Sequence, residues 1–126
     1  MRTTLALLDG TQLDLRVLVC ETARERSRGL LDHAELACDE AMWFSPAYAI
    51  HTFGMRFAID VVFCDRRGEI VRVAERVPAR RLLVCARGYA CLELAAGRAG
   101  ELGFGPGMRL ELVGSGQRED RVRARA

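Results

Sequence analysis

The sequence predicts an all-β protein: a compact antiparallel β-sandwich or barrel-like domain with one short α-helix. Three observations predict this fold. Short apolar runs recur between turn signals that contain Gly, Pro or Asp. Several of these runs alternate apolar and polar residues with the period of a strand. One segment only, residues 22–31, has the period and the capping residues of a helix. Many short strands with a single helix indicate a sandwich or a barrel.

The chain begins with a predicted β-hairpin. Apolar runs at 3–8 and 12–20 flank the dipeptide Asp9-Gly10. Asp-Gly between two strand-like runs is a strong hairpin signal, because both residues tolerate the positive φ angles of a tight turn. In the second run apolar and polar residues alternate, so one face should be buried and the other solvated.

The predicted helix begins near Thr22, since Thr22 and Glu25 have the spacing of a capping box. Gly29 can end this helix or let its backbone pass close to the sheet. We therefore expect a structural role for Gly29. The following residues, 32–41, are interpreted as a loop.

Further strands are predicted along the rest of the domain. Gly54 should bend the chain between two of them and is expected to be structural. Residues 65–68 should form the turn of a second hairpin, and residues 95–102 a turn without a helix. The sequence predicts one domain at 1–113 and a disordered polar tail at 114–126. The predicted strands are 41–44, 49–53, 56–64, 69–77, 82–85, 89–94 and 108–113.

Composition bounds the class of protein. The chain has 126 residues, half of them apolar, and a net charge of +2, which suits a single core. No apolar run approaches the roughly 20 residues of a membrane span, and the N-terminus has no secretory signal pattern. A cytoplasmic location is therefore expected. The five cysteines are odd in number and form no CxxC pair, so we expect free, mostly buried thiols rather than disulfides or a zinc ribbon.

Several catalytic and binding classes are excluded. The chain contains no lysine, which rules out a Schiff base and a P-loop lysine. It has no G-x-S-x-G elbow and no dinucleotide-binding glycine motif. Its arginines are mixed with acids or lie at turns, and aromatic residues are only 6% of the chain. We expect no nucleic-acid partner, no membrane partner and no cofactor, with the oligomeric state open.

Four polar residues stand out within apolar surroundings. Asp60 lies inside a predicted core strand, and Glu93 lies on another. A buried carboxylate costs several kcal/mol unless it is paired or hydrogen-bonded. His51 and Thr52 precede the bend at Gly54, whose backbone amides, with the Thr52 hydroxyl or the His51 ring, are the expected donors to Asp60.

Three interpretations of these residues stay open. They can be purely structural, with Asp60 holding the bend to the central strand. They can line a small-ligand pocket formed by His51, Thr52, Asp60 and Glu93. A metal would need the set His51, Asp60 and Glu93, and no H-x-H or H-E-x-x-H motif supports it. We predict no metal site.

The motifs of the chain resemble the DUF192 family, small bacterial and archaeal proteins of unknown function. The resemblance covers about residues 12–113. Three positions differ from the usual pattern: Leu31 replaces a common Met, Ala58 a Pro before Ile-Asp, and Met108 an Asp after Gly. The resemblance implies a sandwich-like β fold with a short helix and no established reaction. The motifs that carry it are TARERSRGLL, AMWFSP, IHTFGMRFAIDVVF, LELAAG and LGFGPGMRLEL.

The sequence thus favours a small soluble binding or accessory module with a polar cluster at one end of its sheet. Two alternatives stay open. One is a hydrolase or isomerase that uses His, Asp and Glu as acid and base or with a metal. The other is a protein-interaction module that acts through an exposed sheet edge.

Overall fold

The computed structural model describes residues 2–20 and 35–114. These ranges contain nine strands and one short helix, so the all-β prediction is confirmed. The predicted helix at 22–31 with Gly29, and the predicted tail from 115 onward, lie outside the described residues. The elements are β1 (Arg2–Leu8), β2 (Thr11–Cys20), β3 (Glu40–Phe44), β4 (Ala49–His51), β5 (Ile59–Cys64), β6 (Ile70–Val77), β7 (Leu82–Val84), β8 (Ala90–Ala95), α1 (Arg98–Leu102) and β9 (Leu110–Val113).

Seven strands form one sheet in the order β6-β5-β8-β3-β2-β1-β9, and β4 pairs with β7 in a separate two-stranded ribbon. The prediction of an antiparallel sheet needs one correction, because β2 and β3 run parallel. The connection between them, residues 21–39, has the length that a parallel crossover requires. The chain can therefore return to the starting end before β3 begins.

The seven-stranded sheet curls until its two edge strands meet. An isolated bridge joins Glu69 to Arg109, and the Ile70 amide donates to the Met108 carbonyl at 2.7 Å. Gly68 makes this approach possible. Its φ is +86°, and a Cβ at this position would collide with the Leu110 carbonyl. The sheet is thus a partly closed barrel, as the barrel-like prediction implied.

Both predicted hairpin turns are present. Asp9 and Gly10 have φ values of 49° and 85° between β1 and β2, which fits a turn whose twist matches the strands. The turn at 65–68 joins β5 to β6, and the Asp65 carboxylate accepts the backbone amides of Arg67 and Glu69 at 2.9 and 3.0 Å. Local turn chemistry therefore fixes both hairpins.

Apolar side chains bury both faces of the central strands. The inner face of the curled sheet holds one cluster, which includes Val62 and Leu92, and the outer face holds a second, which includes Val61 and Cys91. The outer cluster is covered in part by the ribbon, since Ile50 and Leu83 pack against it. This double coverage explains why all six residues of β5 are buried.

The described helix, α1, lies in a segment that the sequence analysis interpreted as a turn. It has five residues and is flanked by Gly97 and Gly103, both with positive φ. Such a short, glycine-bounded segment shows no helical periodicity, so the pattern could not reveal it. Ala99 of α1 is fully buried in the inner cluster. Nowhere in residues 2–20 and 35–114 is there a helix with the length and apolar character of a membrane span.

Candidate functional site

Asp60 is fully buried and both of its carboxylate oxygens accept a backbone hydrogen bond. One oxygen accepts the Arg76 amide at 2.8 Å, and the other accepts the Ala99 amide at 2.9 Å. The expected burial and hydrogen bonding are therefore observed. The expected donors were wrong, because neither the bend at 52–55 nor His51 supplies them.

Two local irregularities explain these donors. The register of β5 with β6 shifts between Ile59 and Val61, so Glu75 and Arg76 together face Asp60 as a β-bulge. Arg76 has a φ of 52°, and its amide has left the ladder. Ala99 lies in the first turn of α1, whose own N-cap, Gly97, offers no side-chain oxygen. Asp60 therefore joins β5, the bulge of β6 and α1.

Thr52 is fully buried and holds the bend before Gly54 to the loop before β7. Its hydroxyl donates to the Pro78 carbonyl at 2.7 Å and accepts the Arg81 amide at 2.9 Å. Its own amide donates to the Arg81 carbonyl at 2.9 Å. Gly54 has a φ of 84° in this bend. With its hydroxyl both donating and accepting, Thr52 serves as a clamp.

His51 lies at the end of β4 with its side chain exposed. Its ring is tilted against the ring of Phe53, with centroids 6.0 Å apart. In the ribbon it is directly opposite Leu82, which is also exposed. His51 is therefore a surface residue on the outer side of the ribbon.

Glu93 is 6% exposed and, within residues 2–20 and 35–114, receives no hydrogen bond. Its neighbours across the sheet are Met42 of β3 and Val61 of β5, both apolar and buried. Burial raises the pKa of Glu93 from 4.5 to about 8. The carboxyl is therefore largely protonated at neutral pH, in contrast to an ordinary glutamate.

The structure does not bring the four sequence-predicted residues together. Glu93 faces Val61, whereas Asp60 faces Leu94, and successive residues of a strand point to opposite faces. Asp60 is thus on the inner face and Glu93 on the outer face, so a shared site for both carboxylates is excluded. The ligand set His51, Asp60 and Glu93 is not assembled. The part of the chain that the structure describes holds no cluster of three metal-ligating side chains.

All five cysteines lie within the described residues and none of them forms a disulfide, as expected. Cys20, Cys64 and Cys91 are buried, Cys85 is half-buried and Cys38 is exposed. Burial, with a smaller contribution from Asp65, raises the pKa of Cys64 to about 12, and burial raises that of Cys91 well above its usual value. The thiols of Cys64 and Cys91 are therefore poor nucleophiles.

A cleft rich in arginine and tyrosine lies at the end of the central strands that is opposite to Asp60. Its volume is about 520 Å³, and three turns line it: the one after β3, the one between β5 and β6, and the one before β8. We call it the arginine–tyrosine cleft. Its residues are Pro46, Tyr48, Asp65, Arg66, Arg67, Ala86, Arg87, Gly88 and Tyr89.

Strand pairing brings these turns side by side. Cys64, the last residue of β5, is opposite Ala90, the first of β8. The Tyr89 amide donates to the Cys64 carbonyl at 2.7 Å, and the Tyr89 carbonyl accepts the Ala47 amide at 2.6 Å. Gly88 packs so closely that a Cβ there would be 3.3 Å from the Phe63 ring. Tyr89 is therefore fixed by backbone contacts to both neighbouring turns.

Positive charge dominates the cleft. The Arg66 guanidinium lies over the Tyr89 ring, 4.5 Å from its centroid, in a cation–π contact. Among the described residues, Arg66, Arg67 and Arg87 have no ion-pair partner. Asp65 is the only acid among the described residues that line this cleft, and two backbone amides already bind one of its oxygens. The cleft thus offers several unpaired guanidinium donors beside two phenol rings.

A second cleft of about 380 Å³ adjoins the first, and both include the Arg66–Tyr89 pair. It continues along the open end of the curled sheet to Trp43 and Leu112. The mouth of a β-barrel is a common place for a ligand site. The two clefts therefore meet at the Arg66–Tyr89 pair.

Sequence reasoning missed this cleft because it treated Arg66 and Arg67 as solvated turn residues and did not consider Arg87. One signal could have found it. The two predicted strands at 56–64 and 89–94 are both buried runs, and their antiparallel pairing would place the turn after one beside the turn before the other. The arginines of both turns would then share one end of the sheet.

Solved structures resemble this fold closely. One is a protein of unknown function from Novosphingobium aromaticivorans DSM 12444, with a TM-score of 0.75, 22% identity, and coverage of 86% of this chain and 83% of that one. Another, from Sinorhizobium meliloti 1021, is described as "a putative transcription regulator", with a TM-score of 0.76, 25% identity, and coverage of 87% and 93%. None of the curated proteins matches the chain.

The family comparison agrees with the resemblance of the motifs. The model of DUF192, a family described as an uncharacterised ACR, matches residues 5–112, which is most of the chain. The chain therefore belongs to the DUF192 family.

Proposed function

We propose that this protein is a small binding module whose ligand is an anionic organic molecule held in the arginine–tyrosine cleft. The observation that carries the proposal is the Arg66 guanidinium, stacked on Tyr89 at 4.5 Å and without an acidic partner among the described residues. Stacking holds the guanidinium plane in one orientation while leaving its N–H donors free. Those donors suit a carboxylate or a phosphate.

The size and lining of the cleft support a small ligand. Its volume of about 520 Å³ lies within the range of small-molecule sites, roughly 300–1,000 Å³. Tyr48 and Tyr89 offer aromatic surface for a planar group, and Arg67 and Arg87 add positive charge. The free thiols support the expected cytoplasmic location, which is reducing.

No arrangement of groups favours a reaction at this cleft. Its described lining contains no histidine and no cysteine, and the one acid there, Asp65, holds the turn at 65–68. General acid–base chemistry needs a group that can exchange a proton near neutral pH at the ligand. Binding without turnover is therefore the function that the cleft supports best.

The test is calorimetric titration of the full chain with adenosine monophosphate, which combines a planar base with a phosphate, and with citrate and inorganic phosphate. We expect binding that weakens at high salt and that decreases about tenfold or more in the double variant Arg66→Gln/Arg87→Gln, because charged hydrogen bonds are lost. The matched control is Arg56→Gln. Arg56 is exposed on the bend before β5 and does not line the cleft.

Equal affinity of the cleft variant and the control would contradict the proposal, as would the absence of binding by all three probes. A short DNA duplex is included as a fourth probe, because the similar S. meliloti protein is described as "a putative transcription regulator". If the duplex binds through the same arginines and the small anions do not, the cleft takes a nucleic acid and the small-ligand proposal fails.

A further inference from the structure

The exposed large apolar side chains of the described residues are concentrated at the ribbon. They are Tyr48, Phe53, Leu82 and Val84, which are 64%, 54%, 66% and 54% exposed. Leu82 and Val84 belong to β7, and Tyr48 and Phe53 lie within two residues of β4. Exposed apolar side chains scattered singly need no explanation, but a contiguous group commonly marks an interaction surface.

The register of the ribbon puts several of these residues on one face. His51 is opposite Leu82, and Ala49 is opposite Val84. Directly opposite residues of an antiparallel pair share a face, so these four point away from the sheet. The Phe53 ring joins them through its contact with His51. We call this surface the ribbon patch, formed by Ala49, His51, Phe53, Leu82 and Val84.

The ribbon patch is presented on a firmly held support. Ile50 and Leu83, the inward residues of the ribbon, pack against the outer cluster. Thr52 clamps one end to the loop before β7, and Arg72 of β6 donates to the Val84 carbonyl at 3.1 Å at the other end. The exposure of the patch therefore does not come from a loosely attached segment.

The charged residues of the two segments that form the patch are all cations. Residues 46–59 and 78–92, which contain the whole ribbon, include no aspartate and no glutamate. They include four exposed arginines: Arg56, Arg80, Arg81 and Arg87. Glu75, on the neighbouring β6, points toward α1, because a Cβ on Gly100 would be 3.1 Å from its carboxylate. The patch thus combines apolar side chains with a rim of cations.

We propose that the ribbon patch docks on the surface of an anionic lipid bilayer. Phe53, Leu82 and Val84 would enter the boundary between headgroups and acyl chains, and the arginine rim would contact lipid phosphates. Peripheral binding of this kind depends on buried apolar area together with attraction to anionic lipids. Arginine offers donors only, and lipid phosphates offer acceptors only, so the rim matches a headgroup layer better than a protein surface of mixed donors and acceptors.

This inference goes beyond the proposed function and does not depend on it. It also revises the expectation of no membrane partner, which came from the lack of a spanning run. Surface docking needs no spanning segment, because the apolar side chains enter only the outer part of the bilayer. Tyr48 lines the arginine–tyrosine cleft and directly precedes β4, so the cleft adjoins one end of the ribbon.

The test is flotation of the full chain with vesicles of phosphatidylcholine alone or of equal parts phosphatidylcholine and phosphatidylglycerol. We expect binding to the anionic vesicles only, with a marked decrease when the salt concentration rises from about 0.05 M to about 0.5 M. The double variant Phe53→Ser/Leu82→Ser should bind at least about tenfold more weakly, since apolar contact is lost. Its thermal unfolding should match that of the unmodified protein, because both side chains are exposed.

Two double arginine variants distinguish the contribution of the rim arginines to vesicle binding from that of the overall charge of the protein. Arg80→Gln/Arg81→Gln should weaken vesicle binding by about tenfold, in keeping with the attraction of rim cations to anionic lipid. Arg2→Gln/Arg16→Gln removes the same charge from exposed positions of β1 and β2, outside the ribbon, and should have a much smaller effect. A Phe53→Trp variant should be quenched by acyl-brominated anionic vesicles, whereas Trp43 in the unmodified protein, which packs against the inner cluster, should not.

The proposal is overturned if the chain ignores anionic vesicles at low salt, or if Phe53→Ser/Leu82→Ser binds them as well as the unmodified protein. A soluble copolymer of glutamate and tyrosine tests the other class of partner. If the copolymer binds through Phe53 and Leu82 while vesicles do not, the ribbon patch takes an acidic protein segment and the lipid proposal fails. These results leave the small-anion titration of the cleft unaffected.

Discussion

Asp60 of β5 and Glu93 of β8 occupy neighbouring positions in the register of two paired strands. They nevertheless lie on opposite faces of the sheet and differ in their surroundings. Each oxygen of Asp60 accepts a fixed backbone amide, one from the bulge in β6 and one from α1. Glu93 meets apolar side chains, and burial raises its pKa to about 8. The comparison teaches that burial alone does not assign a role to an acid, because the available donors decide it.

Removing the Asp60 carboxylate should give the largest effect. Asp60→Ala leaves the Arg76 and Ala99 amides buried without acceptors, and each such donor costs roughly 1–3 kcal/mol. We expect the free energy of unfolding in urea to fall by roughly 2–6 kcal/mol. Asp60→Asn is the matched control. It keeps one acceptor oxygen and should cost about 1–3 kcal/mol. An unchanged urea midpoint for Asp60→Ala would show that Asp60 does not hold α1 to the sheet.

Substitution of Glu93 should stabilise the protein at alkaline pH, whereas substitution of Asp60 destabilises it. Because its folded pKa is raised, the folded protein binds the proton more tightly than the unfolded chain. The contribution of Glu93 to the free energy of unfolding is therefore most favourable below pH 4.5. It decreases by about 1.4 kcal/mol per pH unit as the pH rises to about 8. Glu93→Gln cannot ionise, so its stability relative to the unmodified protein should be about 3–4 kcal/mol greater at pH 8 than at pH 5.

The measurement is urea unfolding of both proteins between pH 5 and pH 8. The difference between Glu93→Gln and the unmodified chain should grow steadily with pH and be smallest at pH 5. A difference that does not change with pH would mean that the Glu93 carboxyl has a donor, and the contrast with Asp60 would be lost.

Thr52 and His51 are adjacent in sequence, yet one is buried and hydrogen-bonded and the other is exposed. Their substitutions should therefore also differ in their effect on stability, by a smaller amount. Thr52→Val removes the hydroxyl that bonds Pro78 and Arg81, so it should destabilise by about 1–3 kcal/mol, and Thr52→Ser should recover most of this. His51→Ala removes an exposed side chain and should change stability by less than about 0.5 kcal/mol. Thermal unfolding of the three variants tests this order. A larger loss for His51→Ala than for Thr52→Val would reverse it.

The sequence predicted features that depend on residues close along the chain, and it did not predict hydrogen-bond partners that are distant along the chain. That Asp60 is buried followed from its apolar neighbours, and the hairpins followed from Asp9-Gly10 and from the turn at 65–68. The donors to Asp60 did not follow, since Arg76 and Ala99 are 16 and 39 residues away. One of them also depends on a β-bulge, which leaves no periodic signal.

The sequence by itself determined the all-β class, both hairpins, the family and the presence of polar residues in the core, because strand period and turn chemistry are local properties. Tertiary structure alone decided how these parts combine. It made β2 and β3 parallel, put Asp60 and Glu93 on opposite faces, and joined the turns at 65–68 and 86–89 into one cleft. These outcomes depend on the register between distant strands, since a shift of one residue exchanges the two faces of a strand.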